Sequence, residues 1–329
     1  MSKLLVVINL CGIRGAERLD LYVKHVESLL AQDFPSFDVA VSGACNTEAC
    51  KKVLRHKLGD RVSYNWTNKK YTVGITFNQT VRTMEKAFGR YDAHVYVDSG
   101  IDVGVDKQLL HKMDNRILGV PPGYDASMYP PHVRHDKCAM VAARTDTDAG
   151  HEYAGLPRDH DGEWLVPLGK SCNLHCQAFH RSIFDAFGNV LPDVFVGDTT
   201  ESVFSFLCAA VNRRFLILGK PEVHHEHSMD GPSSGHQRGG WANPKLLALY
   251  PQHTNLEAIC TEGREYGFGY EECQSWLLHD PTKFGEHGNA LDPRLLPFMR
   301  RHLYLQKDQL DYDSIKSVFE PGQRRPSTP

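Results

Sequence analysis

Carboxylates and imidazoles gather at three places in the sequence. The first is AHVYVDSGIDVG, residues 93 to 104, where an apolar run stops abruptly at Asp98, Ser99, Gly100 and Asp102. Val95, Tyr96 and Val97 have the β-branched and aromatic character of a buried strand, so the carboxylates are expected on a tight turn at its C-terminal end. In an open parallel sheet that edge is where ligands bind, and two hard oxygen groups there can hold a divalent cation against a diphosphate. The plainer alternative is a polar turn that closes a strand. The second place is VGDTTE, residues 196 to 201, in which Asp198 and Glu201 form a capping-box-like pair on one face of a helix start. The third is VHHEH, residues 223 to 227. If the preceding strand persists, His225 and His227 fall on one side and His224 on the other. Three imidazoles so close together suit metal ligation, against the simpler reading of surface histidines.

The elements that must position these groups follow from periodicity. Residues 4 to 9, LLVVIN, read as a strand buried on both faces. The next loop carries Gly12 and Gly15 without the GxGxxG spacing, so it is only weakly a phosphate cradle. Leu19, Val23, Val26, Leu29 and Leu30 then share one face of an amphipathic helix that ends before Pro35. A second strand, residues 37 to 41, runs into a loop where Asn46 or Thr47 can cap a helix through Leu58. A short third strand is expected around Arg61 to Tyr64, and a third helix that Gly74 precedes and that ends near Gly89. Four alternations of strand and helix imply right-handed crossovers and parallel strands whose C-terminal ends share an edge.

Length and composition agree with that picture. The chain has 329 residues, 41% hydrophobic and 23% charged, which suits a globular protein with a substantial core. A formal net charge of -3 gives no electrostatic case for nucleic acid as a partner. No apolar run approaches the roughly 20 residues that span a bilayer. The N-terminus enters a strand directly, without the flanks of a signal peptide, so a cytoplasmic location is expected. Nine cysteines without a scaffold spacing fit reduced thiols there. Cys172 and Cys176 flank His175, but with no second pair they do not make a zinc pattern.

Two stretches resemble family-2-like glycosyltransferases of the GT-A fold. SLLAQDFPSFDVAVSGACNTEA is similar to that family's helix, proline and second strand, and VGITFNQTVRTMEKAFGRYDAHVYVDSG to its glycine-to-asparagine segment and the strand leading to the DxD motif. The likeness spans roughly residues 4 to 228 and implies an α/β fold: a Rossmann-like, mostly parallel central sheet flanked by helices. It also implies an inverting, metal-assisted transfer of sugar from a nucleoside diphosphate sugar to a carbohydrate or other hydroxyl acceptor. Asn9, Ser42 and Asn46 match positions that grip the nucleotide, Gly74 and Asn78 the segment that approaches the donor, and Asp98 with Ser99 the diphosphate turn. This sequence departs from the family in two ways. Ser42-Gly43 stands where an acidic residue commonly meets the base, and Gly100 stands third in the DxD, so Asp102 would have to swing in to ligate Mn²⁺ or Mg²⁺.

The resemblance continues in AFHRSIFDAFGNV and VGDTTESVFSFLCAAVNRRF. It implies that Asp198 is the general base, with Glu201 as the fallback, and that a histidine here, His225 and then His227, completes the metal site. In DGPSSGHQRGG, Arg238 could neutralise the leaving group as the loop closes. Asp146 and Asp148 invite a metal guess but read more simply as a solvated loop. Residues 1 to 240 are expected to form the catalytic domain and 241 to 317 a helical C-terminal extension, whose aromatics suit the acceptor side or an oligomer surface. Residues 318 to 329 read as a disordered tail. Two alternatives stand: a sugar-nucleotide nucleotidyltransferase, and a non-catalytic nucleotide- or carbohydrate-binding module.

Overall fold

The computed structural model describes residues 2–10, 16–44, 48–67, 73–117, 138–146, 162–166, 175–191 and 213–226, with the single positions Leu156, Arg158, Phe204, Leu207, Cys208 and Val211. The expected extension at 241 to 317 and the tail lie outside the described residues. β1 (Leu4–Asn9) is buried along its whole length, because helices cover both faces of the sheet. α1 (Ala16–Leu30) places Leu19, Tyr22, Val23, Val26 and Leu29 against one of them. β2 (Phe37–Ala44), α2 (Glu48–Leu58), β3 (Ser63–Thr67), α3 (Val73–Phe88) and β4 (Ala93–Asp98) follow in the expected alternation. The third strand starts later than expected, since residues 59 to 61 form a 3-10 turn entered through Gly59 at φ 59°. These strands lie in the order β3-β2-β1-β4, all parallel.

The second half completes the sheet differently. β5 (Ile101–Asp102), α4 (Leu109–Ile117), β6 (Cys138–Thr145), β7 (Trp164–Leu165), β8 (Cys176–His180), α5 (Arg181–Phe187) and β9 (Arg214–His225) extend the strand order to β3-β2-β1-β4-β8-β6-β9-β5, with β7 on β9. β8 runs antiparallel between β4 and β6, while β9 runs parallel to β6. Six strands of the mixed sheet thus run one way, as the resemblance implies, and three run the other: β8 inserted beside β4, and the two-residue β5 and β7 on β9. The reversal of β8 brings its start to the end of β4, where the Asp98 N–H donates to the His175 carbonyl at 2.8 Å. No described helix is long and apolar enough to cross a membrane.

Alternation along the strands sorts the core into two layers. Leu5, Val7, Ala40 and Tyr96 face Phe77, Val81 and Met84 of α3. Leu4, Val6, Ile8, Val39, Val41, Val95 and Val97 face the layer that holds α1, α2 and α4. At the start of β4, the end opposite Asp98, the fully buried His94 lies 3.0 Å from Glu85, which also accepts from Arg181 at 3.2 Å. Burial works against the charge on Glu85, but these hydrogen bonds win and hold its carboxyl at about 2. A buried polar group has to be paired in this way, so the cluster reads as structural.

Candidate functional site

Hydrogen-bond register lines up a row of polar side chains at the C-terminal ends of the parallel strands. Asn9 is level with Ser42 on one side and Asp98 on the other, and Ser42 is level with Asn65. All four continue the alternation of Leu5, Val7, Ala40 and Tyr96, so they face α3. Asn65 donates to Thr80 Oγ1 at 2.7 Å, and Thr80 donates to the Thr76 carbonyl at 2.9 Å, which fixes the outer end of the row to the helix. Asn9 and Ser42 are buried, and the Ser42 Oγ has no hydrogen-bond partner. A buried hydroxyl left unpaired is costly, so this edge holds a polar atom that a bound ligand can satisfy. α3 opens at the same edge with Gly74 buried in its first turn, where helix N–H groups lack internal acceptors.

Asn78, which the resemblance assigns to the segment approaching the donor, also makes contacts within the fold. Its amide nitrogen donates to the Leu191 carbonyl at 2.7 Å, and its carbonyl oxygen accepts from Val190 N–H at 2.9 Å and Leu191 N–H at 3.1 Å. The side chain is fully buried, so these contacts give it a task in the fold: it clamps residues 190 and 191 onto α3.

The acidic turn is held from several directions. Asp98 Oδ1 accepts from the Ser99 N–H at 2.7 Å, and the Glu226 N–H donates to the Gly100 carbonyl at 2.8 Å. Asp102 is drawn to α1: Lys24 Nζ lies 3.0 Å from its Oδ2, and the Gly104 N–H donates to its Oδ1 at 2.8 Å. Burial pushes the Asp102 carboxyl up, yet hydrogen bonds from Gly104, Lys24 and Ser28 bring it below the usual carboxylate range. A Cβ at 104 would sit 2.9 Å from Asp102 Oδ1 and 3.3 Å from Ser28 Cβ, so a larger residue there would push the carboxylate out of this place. The expected swing of Asp102 toward Asp98 would break all three contacts.

Sheet pairing joins this turn to the histidines. β9 pairs antiparallel with β5, setting Ile101 opposite His225 and Asp102 opposite His224. His225 is buried, and its ring packs on His175 with centroids 4.6 Å apart. Asp98, His175 and His225 are thus gathered through one pairing and one ring contact. His175 was not singled out in sequence, where only its flanking cysteines drew notice. His224 turns instead to Asp146, its Nδ1 2.6 Å from Oδ2, while Asp146 Oδ1 accepts from the His225 N–H at 3.3 Å. Burial raises the Asp146 carboxyl, and these hydrogen bonds more than reverse that. Asp146 is therefore tied to the end of β9, beside the histidines.

Behind the turn, Lys112 lies 2.8 Å from both Glu222 oxygens and pairs with Asp106. Burial and the Asp106 carboxyl raise Glu222 to about 7. Asp106 is pushed up by burial but brought down to about 2 by hydrogen bonds from Glu222 and Lys112.

Among the described residues, no group of three or more His, Cys, Asp and Glu side chains is arranged to hold a metal. Asp98, His175 and His225 have suitable donor types at this edge, a hard carboxylate oxygen and two imidazoles. Asn46, Asp198, Glu201, His227 and Arg238 lie outside the described residues.

No family model matches the chain. No curated protein matches it either. Among solved structures, a Pyrobaculum calidifontis mannosyltransferase in complex with GDP-Man and Mn²⁺ matches at 13% identity and a TM-score of 0.48, covering 90% of this chain and 72% of that one. A putative nucleotide-diphospho-sugar transferase from Desulfovibrio desulfuricans matches at 14% identity and a TM-score of 0.41, covering 76% of this chain and 99% of the other. Glucosyl-3-phosphoglycerate synthase from Mycobacterium tuberculosis, in complex with Mn²⁺, UDP and phosphoglyceric acid, matches at 9% identity and a TM-score of 0.35, covering 56% and 58%. These likenesses are too distant to carry anything about activity. The strand order stands on its own: in fold the chain is an α/β protein with a mixed central sheet flanked by helices.

Proposed function

We propose that the chain is an inverting glycosyltransferase that moves a sugar from a nucleoside diphosphate sugar to an acceptor hydroxyl. The observation that carries this reading is the meeting, at one sheet edge, of the polar row Asn65, Ser42, Asn9 and Asp98 with the imidazoles of His175 and His225. The row offers hydrogen bonds for a nucleoside, and the α3 N-terminus offers N–H groups to anionic oxygens. His225 and Asp98 would hold Mn²⁺ or Mg²⁺, with His227 as a further ligand from the resemblance, and such a cation neutralises charge on the diphosphate. Asp198 takes the proton of the acceptor hydroxyl as its oxygen attacks the anomeric carbon from the face opposite the diphosphate. The anomeric C–O bond breaks, its electron pair leaves with the nucleoside diphosphate, and the configuration inverts. Arg238 neutralises that leaving group.

Two measurements test the reading. A thermal-shift screen of nucleoside diphosphate sugars with Mn²⁺ is expected to raise the melting temperature for at least one donor, because a ligand that binds only the folded state stabilises it by mass action. Turnover should then release a nucleoside diphosphate. Pyrophosphate in its place would mean nucleotidyl transfer, and binding without any turnover would mean a non-catalytic module. Asp198→Asn should keep donor affinity and lose about a hundredfold in transfer, the lower range for a general base. Undiminished transfer in that variant would take the role from Asp198.

A further inference from the structure

α1 presents Lys24, His25 and Ser28 along one face, spaced at helical intervals, and Gln32 follows just past its end; all four reach the segment from 99 to 106. Lys24 and Ser28 engage Asp102, and Gln32 Nε2 donates to the carbonyls of Val103 at 3.0 Å and Asp106 at 2.9 Å. His25 alone engages the first half of the turn, with Nδ1 2.9 Å from the Ser99 carbonyl. A carbonyl oxygen only accepts, so Nδ1 carries the hydrogen and Nε2 is bare. The side chain is 1% exposed, and its Nε2 has no hydrogen-bond partner.

We propose that His25 is a positioning residue: through the Ser99 peptide it sets the direction of the Asp98 carboxylate, with α1 serving as a splint for the acidic turn. The link has two steps. His25 fixes the carbonyl of Ser99, and the N–H of the same residue donates to Asp98 Oδ1 at 2.7 Å. Ser99 is held at both of its peptide groups, and releasing one lets the other turn. An apolar side chain would fill the same space without orphaning a ring nitrogen, so packing alone does not account for an imidazole here. The assignment of donor binding to this turn rests on the proposed transferase reading, whereas the ordering of the turn does not.

The test compares His25→Leu, which removes the donor, with His25→Asn, whose amide nitrogen can occupy the place of Nδ1. The probes are UDP-glucose and GDP-mannose with Mn²⁺, taking whichever binds the wild type. His25→Leu is expected to weaken that binding roughly tenfold, the scale on which orienting partners act, and to speed amide exchange in the peptide covering 98 to 102. His25→Asn is expected to restore both to within about threefold of wild type. Wild-type affinity and exchange in His25→Leu would overturn the proposal. Should the leucine variant fail to fold, nitrogen-15 NMR of the wild-type imidazoles decides: the Nδ1–H tautomer for His25 is expected, and the Nε2–H tautomer overturns the proposal. If neither sugar nucleotide binds the wild type, the transferase reading has failed on these probes, and the exchange and tautomer measurements still decide what His25 does.

Discussion

Asp98→Asn is expected to lower donor-dependent transfer by about 10² to 10³, the scale of losing one preorganised charge beside a developing anion, while leaving the fold intact. The side chain stands at the end of β4, in register with Asn9, and its backbone N–H is bonded to His175. Asparagine keeps the shape and the oxygen that accepts from Ser99, so what is lost is charge. Donor affinity should weaken with Mn²⁺ present, as measured by calorimetry, and urea unfolding should be nearly unchanged. Turnover within threefold of wild type would remove Asp98 from the site and with it the centre of the transferase reading. Asp102→Asn is the matching control: with its carboxylate committed to Lys24, Ser28 and Gly104, that change should act mainly on the turn itself.

Asn78→Ala is expected to destabilise the protein by about 3 kcal/mol, with little effect on the donor affinity of the folded fraction. Alanine would strand the N–H groups of Val190 and Leu191 and the carbonyl of Leu191, at residues that are fully buried. Each unpaired buried group costs about 1 to 3 kcal/mol, and partial relaxation or entering water keeps the sum near the lower end. A loss of this size changes the folded-to-unfolded ratio by roughly a hundredfold, enough for equilibrium urea unfolding to read directly. Unchanged stability together with lost donor affinity would overturn this expectation and favour the donor-site role that the resemblance implies.

Fold and site were unequally legible in the sequence. β1, α1, β2, α2, α3 and β4 could be read because burial on a strand or a helix leaves a local period, and LLVVIN or the Leu19-to-Leu30 face carries that period within one element. The edge location of Asn9, Ser42 and Asp98 followed from the same alternation, since parallel crossovers leave strand ends together. Little in the sequence pointed to His25, one of several polar residues on an amphipathic helix, or to His175, which lies between Cys172 and Cys176 without a metal-site spacing. The exchange of partners by Asp102 and Asp146 was equally hidden, because a carboxylate's letter says nothing about which cation or N–H will face it.

By itself, then, the sequence determined the alternating α/β start, the burial of its strands and the edge on which its polar ends emerge. The tertiary structure decided that β8 enters reversed beside β4, that β9 pairs back onto β5, and that α1 reaches across to the acidic turn. The physical reason is range. Side-chain periodicity records which face of an element leaves water, whereas the choice of neighbouring strand and its register depends on hydrogen bonds between residues as far apart as 101 and 225.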